Sequence, residues 1–317
     1  MDISQLRTLI HVAELGSLSK AADRLHIAQP ALSRQIRLLE QELGVRLFNR
    51  HGRGMVATEE GQDVLRRALR VMAELEEIRA VVSDENAPLR GHVSIGMPPT
   101  ASDILSEPLV SAFRDTHPEA TLRIVSAYTG YLLDWMQRGE LDAAILYDPR
   151  SARNLRIRPL LEETLFLIGP PALLLSLEQP VEFAELENQR LLLPSHGHGL
   201  RTLVDRYAEE TGIALNIKVE ADSYSTLKSL VHSGHGVTVL PLAPIHEELR
   251  TNTLTAAPLV NPVPVRRLIM SFPSDRPTPR LARFAGHIIA STVSSLIEKG
   301  IWSGRLLPDE ENMGKIN

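Results

Sequence analysis

Between positions 29 and 37 the chain carries Gln29, Ala31, Ser33, Arg34 and Arg37 at spacings that bring them to the outer side of one helix, with Pro30 in its first turn. Glutamine can pair bidentately with adenine and arginine with guanine, and a small alanine can approach a thymine methyl. Arg50 and Arg53, at the tip of a short hairpin pattern, suit phosphates or the minor groove. A second kind of chemistry lies in three loops: Pro98-Pro99-Thr100-Ala101-Ser102, Ser126-Ala127-Tyr128-Thr129-Gly130 and Ser195-His196-Gly197-His198-Gly199. Each places hydroxyls or backbone N–H groups at the start of a helix, where a carboxylate or another small anion can be held. Tyr147, Arg201 and Ser223 complete this candidate ligand set. The plain alternative is that Thr100, Ser102 and Ser195 only cap helices and that Arg201 is solvated.

Other chemistries find little support. The chain has no cysteine, so disulfides, thiolate metal sites and cysteine nucleophiles are excluded. His196-x-His198 and His232-x-x-His235 lack acidic partners at ligand spacing, so no metal and no cofactor are expected. The glycines around His198 and His235 do not form a dinucleotide fingerprint, and there is no phosphate-binding GxxxxGK[ST] or GxSxG nucleophile elbow. The expectation is a binding protein, not an enzyme.

These residues need positioning elements. Leu6, Leu9, Ile10 and Ala13 mark a first helix ending at Gly16; Ser17 then caps a short second helix in which Ala21 and Ala22 permit a close crossing. After His26-Ile27-Ala28 a third helix buries Leu32, Ile36, Leu39 and Leu43 and stops at Gly44. Helix, short turn, helix is the arrangement that enters the major groove by the N-terminal end of its second helix. The competing reading is a small helical bundle with solvated charges. Residues 59–83 hold no proline, and Val64, Ala68, Val71, Leu75, Ile78 and Val82 form a heptad seam suited to pairing with a second copy; Leu65, Leu69 and Met72 lie beside it. From Gly91 short strands alternate with helices, which predicts parallel α/β sheet in two lobes, with crossings near 160–168 and 260–268 and a cleft between them.

Charge is divided in the same way. Residues 1–58 hold eight Lys/Arg against five acids, a balance of +3, leaving 26 against 34, or −8, for the remainder. A basic head on an acidic body fits one part meeting phosphate while the other avoids it. The N-terminus has no signal-peptide pattern and no apolar run is long enough for a membrane span, so a cytoplasmic location is expected.

The run from Leu15 to Arg50, continuing through Thr58-Glu59-Glu60-Gly61, closely resembles the LysR-type transcriptional regulators; Ala28 departs from the serine found in many of them. The resemblance implies an α/β protein with three parts. These are a winged helix-turn-helix at 1–58, a dimerisation helix and hinge at 59–90, and an effector domain at 91–317 similar to periplasmic solute-binding proteins. Lobe 1 is expected at about 91–161 and 266–300, lobe 2 at about 162–265, and a loose tail at 301–317. The partners implied are double-stranded DNA, a small-molecule effector bound at the three loops and further copies of the chain as a dimer of dimers, with RNA polymerase a further candidate. Two other readings stay open: a DNA-binding regulator with a ligand-free sensor, and a solute-binding α/β protein whose N-terminal helices serve only oligomerisation.

Overall fold

The computed structural model describes residues 1–51, 54–81, 88–147 and 154–308. Two compact units emerge, one comprising Met1–Val93 with His117–Thr121 and Pro279–Leu281, the other the rest of the chain.

The first unit begins with α1 (Ile3–Leu15), whose start is fixed by a reciprocal cap: the Asp2 carboxylate accepts from the Gln5 N–H while the Gln5 side chain accepts from the Asp2 N–H. Gly16 ends it in the left-handed region. Next come α2 (Leu18–Leu25), α3 (Gln29–Leu43), the antiparallel strands β1 (Phe48–His51) and β2 (Gly54–Ala57), and α4 (Glu59–Val81). Leu9, Val12, Ala21, Leu32, Leu39 and Leu47 form the head's core. Ala21 is fully buried, as a close helix crossing requires.

α4 differs in one respect from the seam read in the sequence. Ala68 is 2% exposed inside the head core, and Val64 packs against the same core beside Leu65, Leu69 and Met72. Ala68 is therefore committed to its own chain. Val71 (44% exposed) and Ile78 (65%) face outward with Leu75 half-buried, while Val82 lies outside the described residues.

The second unit contains two lobes. The elements in chain order are β3 (Gly91–Met97), α5 (Pro99–Thr116), β4 (Ala120–Ser126), α6 (Thr129–Gln137), β5 (Ala143–Tyr147), β6 (Leu155–Thr164), β7 (Phe166–Gly169), β8 (Val181–Glu182), β9 (Leu191–Leu193), α7 (Gly199–Thr211), β10 (Ile217–Glu220), α8 (Tyr224–His232), β11 (Thr238–Leu240), α9 (His246–Arg250), β12 (Thr255–Val260), β13 (Val265–Pro273), α10 (Arg280–Glu298) and β14 (Gly304–Leu306). Lobe 1 is built on a six-stranded sheet in the order β14-β6-β13-β5-β3-β4; lobe 2 joins a four-stranded sheet, β11-β7-β12-β8, to the pair β10-β9.

The βαβ runs give parallel pairing, as between β3 and β5 and between β9 and β10. The sheets are mixed beyond these runs, because β13 returns antiparallel to both β5 and β6, and β7 is antiparallel to β11 and β12. The crossover strands thus run against the direction set by the helical repeats. A loose tail from 301 is corrected too. Trp302 is 1% exposed and β14 pairs with β6, so residues 302–306 belong to lobe 1.

Candidate nucleic-acid interface and ligand cleft

In the head, α3 is held from behind and bare in front. Leu32, Ile36 and Leu39 are buried, and the hydroxyl of buried Thr8 on α1 donates to the Gln35 side chain. Gln29, Pro30, Ala31, Arg34 and Arg37 are exposed together on the outer face, with Ser33 half-buried at its margin. Ser17 caps α2, its hydroxyl accepting from the Lys20 N–H at 3.4 Å. The Ser19 hydroxyl donates to the Gln29 side chain at 3.3 Å, linking the starts of the two helices.

Glu40 sets the wing against α3. Its carboxylate accepts from the backbone N–H groups of Leu47 (2.8 Å) and Phe48 (3.3 Å) at the foot of β1. At the other end the Met55 N–H donates to the Gly16 carbonyl at 2.8 Å. Arg50 takes its backbone place in β1 opposite Met55, and Arg53 lies outside the described residues. The sequence reading missed the role of Glu40, although an acid one helical turn before Gly44 was a visible signal.

In lobe 1 the starts of α5 and α6 meet the end of β5. The Thr100 hydroxyl lies 3.1 Å from the Tyr147 hydroxyl, and the Tyr147 N–H donates to the Thr129 hydroxyl at 3.1 Å. Thr100, Thr129 and Tyr147 are therefore brought together. Pro99 stands at the start of the same helix. Ala101 is placed differently from a ligand contact: its side chain is fully buried, and its N–H, like that of Ser102, donates to the Pro98 carbonyl. The Ser102 hydroxyl is occupied by Ser106, donating or accepting at 3.2 Å.

Lobe 2 meets this wall through His198, which caps α7. Its Nδ1 accepts from the Leu200 N–H at 3.1 Å, and its ring stands edge-on to Tyr128 with centroids 4.4 Å apart. Burial, and then the Arg266 charge, hold its pKa down at about 4 against the opposing pull of Asp222. The imidazole is neutral near pH 7, and with Nδ1 accepting, its proton sits on Nε2. Ser195 gives both its N–H and its hydroxyl to Asp222, at 2.9 and 2.7 Å, which lowers the pKa of that carboxyl.

Arg201 is not brought to the cleft. It is 5% exposed and donates to Asp205, Glu220 and the Pro194 carbonyl, with His196 against its remaining nitrogen. Two carboxylates satisfy the guanidinium within its own lobe, so the expected effector contact through Arg201 is corrected. His196 and Gly197 are exposed, and the Ser223 hydroxyl caps α8 by accepting from the Thr226 N–H.

The cation at the cleft wall is one the sequence reading passed over. Arg266 on β13 lies 3.6 Å above the centroid of the Tyr147 ring, and its Nε donates to Glu163, which is fully buried. The second Glu163 oxygen accepts from the Trp302 indole N–H at 2.9 Å. The available signal was the like-charged neighbours Glu162-Glu163 and Arg266-Arg267 on the two crossover strands, where alternation turns one of each inward and a buried charge needs a partner. The pKa of Tyr224 is raised, first by burial and then by the Asp103 carboxylate. Among the described residues no cluster of His, Cys, Asp or Glu is suited to a metal ion, and no helix is long and apolar enough to cross a membrane.

Both parts of the chain are similar to known proteins. Residues 3–62 match the family model for bacterial regulatory helix-turn-helix proteins of the lysR family, and residues 86–292 match that for the LysR substrate binding domain. The chain is 30% identical over 304 residues to the HTH-type transcriptional regulator BbuR of Bordetella bronchiseptica, covering 96% of this chain and 94% of that protein. It is 33% identical over 245 residues to the nitrogen assimilation regulatory protein nac of Klebsiella aerogenes, covering 76% and 78%. A solved structure of a Corynebacterium glutamicum OxyR C206 mutant superposes with a TM-score of 0.70 at 26% identity, covering 94% of each chain. With its exposed recognition-helix face, its wing and its two-lobed sensor, this chain belongs to the LysR family of transcriptional regulators.

Proposed function

We propose that this LysR-family regulator reads promoter DNA through Gln29, Pro30, Ala31, Ser33, Arg34 and Arg37, with Arg50, Arg53 and the Ser17 helix start on the flanking phosphates. The observation that carries the reading is the outer face of α3, where two guanidiniums and an amide stand exposed on a helix fixed by a buried inner face. The chain acts in the cytoplasm as a dimer of dimers joined through the outward stripe of α4. Its role is binding and not catalysis, in keeping with a Ser195 hydroxyl that donates to Asp222 instead of facing a base.

The effector is a small anion held between the lobes by Thr100, Tyr128, Thr129, Tyr147 and His198. Three helices, α5, α6 and α7, start at or beside these residues, and the contacts Thr100–Tyr147, Tyr147–Thr129 and Tyr128–His198 support this reading, since helix starts favour an anion. A second reading, an uncharged polar ligand, is favoured by the pairing of Arg266 with Glu163, which leaves that wall formally neutral. A thermal-shift panel of carboxylates with their matched amides separates the two, since stabilisation follows RT ln(1 + [L]/Kd).

The DNA reading is tested by anisotropy titration of DNA from upstream of the protein's own gene at several salt concentrations. Wild type is expected to bind specifically with a steep salt dependence, and Arg34→Ala to lose the specific component. Equal binding of wild type to this fragment, to random DNA and to genome-selected fragments would overturn the reading.

A further inference from the structure

Several exposed arginines of this protein are paired with a neighbouring acid. Arg24 pairs with Glu14, Arg90 with Glu119, Arg138 with Asp134, Arg250 with Glu247 and Arg305 with Glu162. Arg34 and Arg37, on the DNA-reading face, form no ion pair with another described residue, and neither do isolated arginines such as Arg123 and Arg190. One corner of lobe 1 gathers three more of this kind.

That corner forms where the start of β6 pairs with the end of β13. Arg156 lies opposite Phe272, and the Ser274 N–H donates to the Asn154 carbonyl at 2.9 Å, which brings the loop after β13 beside the start of β6. Arg156 donates to the Arg276 carbonyl at 3.1 Å and to the Thr278 hydroxyl. Arg276 donates to the Leu141 carbonyl at 3.0 Å, and Arg283, on α10, to the Thr278 carbonyl at 2.8 Å. Every one of these acceptors is a neutral oxygen. The bonds fix the direction of three guanidiniums without cancelling their charge, and none of the three forms an ion pair with another described residue. Arg156 and Arg283 are exposed, and Arg276 is half-buried. Arg158 follows two residues after Arg156 on the same strand, and Asp275 is the one acid in the loop. The rest of the chain beyond the head is strongly acidic, so this concentration of positive charge is local.

We propose that Arg156, Arg276 and Arg283 form a second phosphate-binding surface, by which the sensor domain grips the backbone of duplex DNA outside the segment read by α3. The cations are all arginine, the residue whose planar fork matches phosphate oxygens bidentately. They are prepositioned by backbone carbonyls, so little side-chain entropy is lost on contact. They carry no base-reading amides, which assigns them affinity and placement and not sequence choice. The inference rests on the DNA-binding reading of the head.

The test uses the full chain and a labelled duplex of about 60 base pairs from upstream of its gene, with an equally long random duplex, titrated at several salt concentrations. The variants are Arg156→Gln/Arg283→Gln, Arg156→Lys/Arg283→Lys and Arg34→Ala. The glutamine pair is expected to weaken binding to both duplexes roughly tenfold or more near 0.15 M salt and to flatten the log–log salt dependence by about 2. The lysine pair, which keeps the charge, is expected to retain most of the affinity and slope. Unchanged binding by the glutamine pair overturns the proposal while leaving the DNA reading intact. Unchanged binding with reduced transcription by purified polymerase also overturns it, and reassigns the patch to an acidic protein surface. Equal losses in the glutamine and lysine pairs reduce the arginines to loop supports. If wild type and Arg34→Ala bind neither duplex, the DNA reading fails and this inference with it.

Discussion

His198 meets Tyr128 edge-on, its ring centroid 4.4 Å away, and with its Nδ1 it accepts the Leu200 N–H, so one imidazole both caps a helix of lobe 2 and touches lobe 1. Both contacts use the neutral ring. A protonated imidazole has no lone pair on Nδ1 and would release the cap.

Acid sensitivity follows from the depressed pKa of His198. The unfolded chain binds this proton near its ordinary pKa of 6.5 and the folded chain only near 4. Above pH 6.5 neither state is protonated and nothing is lost; as pH falls from 6.5 towards 4 the unfolded state takes up the proton first, and stability declines. Between pH 7.5 and pH 5 the decline amounts to about 2 kcal/mol from this group. Urea melts of wild type at the two pH values are expected to show it, and His198→Asn, which keeps a capping oxygen without a titrating ring, to lose most of it. Identical pH slopes for the two proteins would exclude His198 as the cause.

Glu163 joins the cleft wall to the last strand of lobe 1, since one oxygen takes Arg266 and the other the Trp302 indole. Glu163→Gln removes the carboxylate charge paired with buried Arg266 and is expected to destabilise lobe 1 by about 3–5 kcal/mol. Trp302→Phe removes the hydrogen bond and leaves part of the indole's space empty, and is expected to cost about 1–3 kcal/mol or more. The chain has two tryptophans, Trp135 and Trp302, so in a Trp135→Phe background the fluorescence of Trp302 reports this corner directly. A Glu163→Gln midpoint equal to that of the parent would show that the pair contributes no net stability.

What could be read in the sequence divides along physical lines. The head was legible because its signals are local: glycines ending α1 and α3, a proline in the first turn of α3, and the period of Leu32, Ile36 and Leu39. The ligand cleft was legible only as loops at helix starts. Thr100, Thr129 and Tyr147 do converge, but through pairing of β3 with β5 across some 48 residues of chain. Arg201 misled because an arginine in the first turn of a helix looks the same whether it meets a ligand or, as here, half-buried Asp205 and exposed Glu220. Arg266 and Trp302 were missed for the opposite reason, as their shared partner Glu163 lies more than a hundred residues away. The heptad seam of α4 could not reveal that Ala68 is already buried by its own head.

Ala28 precedes α3 with extended backbone angles (φ −61°, ψ 131°) and no side-chain cap. The conformation is already that of a capping residue, and the Pro30 ring removes one of the N–H groups a cap would serve. The Ala31 N–H remains within reach of a hydroxyl at this position, beside its bond to the Ala28 carbonyl. Ala28→Ser is therefore expected to stabilise the head by about 1 kcal/mol, seen as a higher melting temperature. No stabilisation would mean that the Ala28 carbonyl alone satisfies that donor.

Gly61 lies in the first turn of α4, where a Cβ would come 2.0 Å from the Leu47 carbonyl oxygen. That carbonyl also accepts the Thr58 N–H at 2.9 Å, and the Gly61 N–H donates to the Thr58 hydroxyl at 2.9 Å, so the junction of α4 with the foot of the wing cannot open without losing bonds. Gly61→Ala is expected to destabilise the head by about 1–3 kcal/mol or more through this clash with backbone, and to weaken DNA binding by tilting β1 away from α3. Gly130, in the first turn of α6, has open space where a Cβ would go. Gly130→Ala is accordingly expected to leave stability unchanged or to raise it by a few tenths of a kcal/mol, about the direction that helix propensity gives. Thermal melts of the two variants, with DNA anisotropy on the first, measure the contrast. If both alanines behaved alike, helix propensity and not the close approach to Leu47 would govern position 61.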